Sequence, residues 1–87
     1  MLIVMHPAPF RVCAVDCPLA SLLARPAADI GAASAEAVWM AQFIGRVGSS
    51  DYLIRIMEGD RVVEEALASW WRQLTPLELK CLIADLR

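Results

Sequence analysis

Asp51-Tyr52-Leu53-Ile54-Arg55-Ile56-Met57-Glu58-Gly59-Asp60-Arg61-Val62-Val63-Glu64-Glu65-Ala66-Leu67-Ala68-Ser69-Trp70-Trp71-Arg72-Gln73-Leu74 is the stretch on which the fold turns. At three- and four-residue spacing Leu53, Ile56 and Met57 share one helical face, and Ser50 stands where a cap belongs. That spacing predicts a helix over 51–58, ended by Gly59 in a left-handed conformation. Asp60 would then cap a second helix over 61–74. Its buried stripe would be Val63, Leu67, Trp70 and Leu74, with Glu64, Glu65 and Arg72 on the wet side.

Downstream, Thr75-Pro76-Leu77-Glu78 has Thr at the cap, Pro at the first helical position and Glu at the third, the pattern of a capping box. It opens a last helix to about Leu86, burying Leu79, Leu82, Ile83 and Leu86. Upstream, Asp29 or Ser34 caps a helix running to about Val47. Ile30, Ala33, Ala37, Met40, Ile44 and Val47 recur along it at helical steps, and Trp39 and Phe43 form a second stripe beside them. A short helix from Cys17 to about Ala24, capped by Asp16, ends at Arg25-Pro26. Before it, Phe10 to Val15 alternates as a β-prone run with Phe10, Val12 and Ala14 on one face, and Leu2 to Met5 is a second such run. The expected fold class is mainly α. It is one domain over 1–87, a compact bundle of four to five short helices with a β-prone N-terminal hairpin or arm.

Composition narrows the function classes. The chain has 87 residues, 59% of them hydrophobic. That is more apolar side chain than a core of this size readily hides. Some of the surplus is Ala, but Trp39, Trp70, Trp71, Phe43, Tyr52, Met40 and Met57 are large. A second protein, or a second copy, is the natural place for that surface. The formal net charge of −2 provides no field toward nucleic acid or anionic lipid. Residues 1–45 hold only Arg11, Asp16, Arg25, Asp29 and Glu36 as charged side chains, so the first half reads as the more hidden. Lys80 is the only lysine, an Arg bias that fits a GC-rich coding sequence and so a bacterial or phage source. No stretch has the pattern of a signal peptide or the length of a membrane span. A cytoplasmic location is expected.

The catalytic inventory is thin. His6 is the only histidine and has no spaced partner, and no nucleophile elbow, phosphate loop or zinc-protease motif is present. No enzymatic activity and no cofactor are expected. Cys13, Cys17 and Cys81 are an odd set and read as small buried hydrophobes. A thiol–imidazole metal site with His6 is the other reading, although C-x3-C is an unusual zinc spacing.

The candidate interface gathers Trp39, Phe43, Trp70, Trp71 and Arg72. Adjacent helical positions lie about 100° apart, so with Trp70 inside, Trp71 falls to the flank. Trp and Arg are the side chains that dominate binding hot spots.

Ala41-x-x-x-Gly45 followed by Tyr52 through Arg61 resembles the helix-turn-helix of Cro- and repressor-type DNA-binding domains. The resemblance covers about a quarter of the chain. It departs from the family in needing extra residues at 46–48, in placing Ile54 where a polar groove-facing residue belongs, and in its acidic surroundings. It implies a second helix in the major groove, with Ser49, Ser50, Arg55 and Arg61 touching DNA. The expected function is a small protein–protein interaction module, a regulator, adaptor or inhibitor acting on a larger protein or by dimerising. The alternative is a degenerate helix-turn-helix regulator.

Overall fold

The computed structural model describes residues 8–17, 24–48 and 51–86. In chain order the elements are β1 (Phe10–Ala14), β2 (Arg25–Ala27), α1 (Ile30–Val47), β3 (Leu53–Glu58), β4 (Arg61–Leu67), α2 (Ala68–Gln73) and α3 (Pro76–Leu86). The strands form one antiparallel sheet in the order β2-β1-β3-β4. The fold is therefore α+β, and the expectation of a mainly α bundle is wrong.

The error lies in the decisive stretch. Residues 53–58 and 61–67 are two strands of a hairpin where two helices were expected. The side-chain period is two: Ile54 and Ile56 are fully buried, while Leu53, Arg55 and Met57 point to the other face. Ile54 lies opposite Ala14 and Ile56 opposite Val12 in β1, and the second pair sets two β-branched side chains against each other. Gly59 at φ 58 stops no helix; it is the first central residue of a two-residue turn between Glu58 and Arg61. A glycine there with an Asp after it suits a type II′ hairpin turn. A bulge in β4 places Val63 out of step between Met57 opposite Val62 and Ile56 opposite Glu64.

The Phe10–Val15 run does form a strand, with Val12 and Ala14 inward. Leu2 to Met5 and most of the expected helix from Cys17 lie outside the described residues. Arg25-Pro26, expected to end that helix, belongs to β2, an edge strand where a proline costs no ladder bond.

Helix α1 matches its expected span. The Asp29 carboxylate accepts the Ala32 N–H at 2.7 Å and caps it. Ile30, Ala33, Ala37, Met40, Ala41 and Ile44 are buried against the sheet. Ala33, Ala37 and Ala41 are small enough to let the helix lie close to Val12, Ile54 and Ile56, the centre of the core. Val47 breaks the expected stripe and is exposed.

Helix α2 starts at Ala68, after the Ala68 N–H has extended the strand ladder to the Tyr52 carbonyl at 2.8 Å. Its own N-cap, Leu67, has no hydrogen-bonding side chain to offer. Asp51 supplies one from 18 residues upstream: Oδ1 accepts the Ser69 N–H at 2.9 Å and Oδ2 accepts the Ser69 hydroxyl. These bonds hold the Asp51 carboxyl below the ordinary range for the residue. Helix α3 opens on the expected capping box. Glu78 N–H donates to Thr75 Oγ1 at 3.2 Å and Thr75 N–H to Glu78 Oε1 at 3.1 Å. Its apolar side is only half covered, and none of its residues is buried.

Candidate interaction surfaces

The two tryptophans expected at the interface exchange places. Trp71 is fully buried and donates Nε1–H to the Ala66 carbonyl at 3.2 Å. Trp70 is 40% exposed, edge-on to Trp71 with ring centroids 5.1 Å apart. The later helix start explains the inversion. Residues 61–67 are strand, so the helical phase is set at Ala68 and runs Ala68 and Trp71 into the core. Leu67, expected inside, is 46% exposed.

Arg72 is exposed and bridges two helices. Its Nη1 donates to the Ala41 carbonyl at 3.0 Å and so ties α2 to α1.

Trp39 and Phe43 remain together on the outer side of α1. The rings stack with centroids 5.7 Å apart and planes 19° from parallel. The Arg25 guanidinium lies 5.4 Å from the Trp39 centroid, and its Nε is 3.6 Å from Glu36 Oε2. Trp39 is 45% exposed and Phe43 half-buried, so this is an aromatic shelf flanked by the Arg25–Glu36 ion pair.

A third surface was not anticipated. Helix α1 covers the face of the sheet that carries Val12, Ala14, Ile54 and Ile56. The opposite face presents Arg11, Cys13, Leu53, Arg55, Met57, Val62, Glu65 and Leu67, and among the described elements α2 and α3 pack beside α1 rather than across it. An antiparallel sheet with one wet face ordinarily alternates apolar-in with polar-out. Here most of the outward side chains are apolar. The signal was present in the sequence as the period-two alternation of 53–58 and the Gly59-Asp60 turn, and the helical reading of that stretch concealed it.

Of the residues expected to touch DNA, Arg55 and Arg61 lie on strands. Ser49 and Ser50 lie outside the described residues. Arg55 is in the middle of β3, its Nε 2.5 Å from Glu65 Oε2, and Arg61 is at the hairpin turn, paired with Glu58. Residues 53–58 form no recognition helix.

Among the described residues no three His, Cys, Asp or Glu side chains converge as metal ligands, and His6 lies outside them. Cys13 is half-buried, Cys17 buried and Cys81 exposed, all with free thiols. An open depression at one end of the sheet is lined by Ala8, Pro9, Phe10, Arg11, Gly59 and Asp60. Among the described residues, Arg11 and Asp60 are the ionisable side chains that line it. Among the described residues no helix is long and apolar enough to cross a membrane.

No family model, curated protein or solved structure matches the chain.

Proposed function

We propose that this chain is a small protein-interaction module. It works in the cytoplasm, without turnover, by occupying surface on another polypeptide, either its own copy or a larger partner. The observation that carries this reading is the apolar surface left outside the core. Trp39, Trp70, Val62 and Leu67 are each at least 40% exposed, and Leu77 reaches 72%. Scattered single hydrophobes are ordinary on a protein surface, but Trp39 stacks with Phe43 as one shelf on α1, and Val62 and Leu67 join Leu53 and Met57 on the outer sheet face. Exposed Trp with neighbouring Arg is the composition of a binding hot spot. The odd cysteine count supports a reducing compartment.

The test is recovery of a tagged chain from its source cell beside a variant carrying W39A, L67K and W70A. These side chains are exposed, so the substitutions leave the core intact. The expected result is a protein held by the parent chain and lost by the variant, whether an untagged copy or a different polypeptide. A parent chain recovered alone, and monomeric, would overturn the reading.

A further inference from the structure

On the outer sheet face, β3 and β4 carry three side-by-side pairs: Leu53 opposite Leu67, Arg55 opposite Glu65, and Met57 opposite Val62. The pattern is apolar, then oppositely charged, then apolar, and it is its own complement. A two-fold axis running along the strands between β3 and β4 exchanges the two members of every pair. A second copy related by that axis would therefore set Leu53 over the partner's Leu67, Arg55 over the partner's Glu65, and Met57 over the partner's Val62, each contact occurring twice.

From this we propose that the outer face of β3 and β4 is a homodimer interface, closed by sheet-on-sheet packing about that axis. The inference rests on the interaction reading above and names its partner. Four points support a second copy on this face. Isologous contact requires one patch to match itself, and this one does so in both hydropathy and charge. Aligned packing of two sheets at about 10 Å leaves room for the side chains of both faces to interdigitate. Arg55 and Glu65 are already ion-paired at 2.5 Å with side chains 31% and 37% exposed. In the dimer they would close into a ring of alternating charge, so neither is buried alone.

The fourth point concerns the edge of the sheet, where pairing is disfavoured. β4 is an edge strand, but the Glu64 carboxylate accepts the Glu65 N–H at 2.9 Å, filling a place a foreign strand would need. Two β4 edges side by side would also bring Glu64 and Glu65 against their like charges. The face is complementary to itself and the edge is not.

The full chain is examined by light scattering and sedimentation across a concentration series, with circular dichroism as a check on folding. The parent chain is expected to dimerise. L67K and V62K, at positions 46% and 44% exposed in the single chain, should each fold and weaken the dimer by roughly tenfold or more. R55E places two carboxylates side by side and should abolish dimerisation. The exchange R55E with E65R restores the pair within each chain and across the axis, and should recover it. A parent chain monomeric at all concentrations would overturn the inference, as would a dimer indifferent to L67K and V62K. A monomer that still retains a different polypeptide from the cell would refute the dimer and leave the interaction reading standing.

Discussion

Gly45 and Arg72 are in direct contact across the α1–α2 joint. A Cβ at Gly45 would stand 2.8 Å from Arg72 Nη1, the nitrogen that donates to the Ala41 carbonyl. The absence of a side chain at position 45 thus lets the guanidinium lie along α1 and reach a carbonyl one turn back. A glycine near the end of a long helix ordinarily costs about 1 kcal/mol relative to alanine. Here that cost is set against a charge-assisted hydrogen bond joining two elements.

This coupling is measurable. In an R72A background, G45A should stabilise the chain by about 1 kcal/mol, the helix-propensity gain alone. In the parent chain the gain should be reduced or cancelled, because the new methyl displaces the guanidinium. Denaturant unfolding of the four chains in a double-mutant cycle gives the interaction energy. Equal effects in the two backgrounds would show that Gly45 and Arg72 act independently.

Trp70 and Trp71 should separate sharply under truncation. W71A empties a fully buried site and removes the bond to Ala66, and should cost about 3–5 kcal/mol. Against the marginal stability of a small domain, that loss approaches global unfolding. W70A removes an exposed ring and one edge-on aromatic contact, worth about 1 kcal/mol. Urea midpoints of the two variants check the assignment, and a larger loss for W70A would reverse it.

The capping box of α3 should act locally. T75A removes the acceptor for the Glu78 N–H and should cost about 1 kcal/mol of helix stability. Because α3 buries no residue, the loss should appear as faster amide exchange along Pro76–Leu86, with little change across the sheet. Uniformly faster exchange throughout the chain would mean that α3 unfolds only with the core.

Asp51 should give acid sensitivity to the start of α2. Its carboxyl is held below the ordinary range by the Ser69 hydroxyl first and the Ser69 N–H second. A carboxyl with a lowered folded-state value contributes stability that is complete above its unfolded value, near about 4. That contribution is lost as the pH falls through the lower folded value. D51N should therefore lower the thermal midpoint at neutral pH, and the gap to the parent chain should narrow below about pH 4. A gap constant from pH 7 to pH 2 would remove Asp51 from this role.

Elements whose partners are close in sequence were legible. Helix α1 was readable because the Asp29 cap and the apolar stripe agree within one span. The α3 start was readable because Thr75 and Glu78 satisfy each other three residues apart. Phe10–Ala14 showed its alternation directly. The hairpin was not recognised, although Ile54 and Ile56 alternate and Gly59-Asp60 is a hairpin turn. Leu53, Ile56 and Met57 fit a helical face equally well, and short apolar runs satisfy both periods. The candidate site inherited that error. Shifting the start of α2 to Ala68 reversed Trp70 and Trp71, drew Arg72 into the α1–α2 joint, and brought Leu53, Met57, Val62 and Leu67 onto one face.

By itself the sequence determined the surplus of apolar side chain, the low net charge, the long amphipathic α1 and the capped start of α3. Each follows from composition or from hydrogen bonds and spacings within a few residues. Only the tertiary structure decided that 53–67 is a hairpin. Ile54 and Ile56 gain their burial from Val12 and Ala14 some forty residues earlier, in a strand whose pairing no local window contains. The pairing of β4 on β3 decided which tryptophan is core and which is surface, because it set where the last strand ends and therefore the phase of the helix that follows.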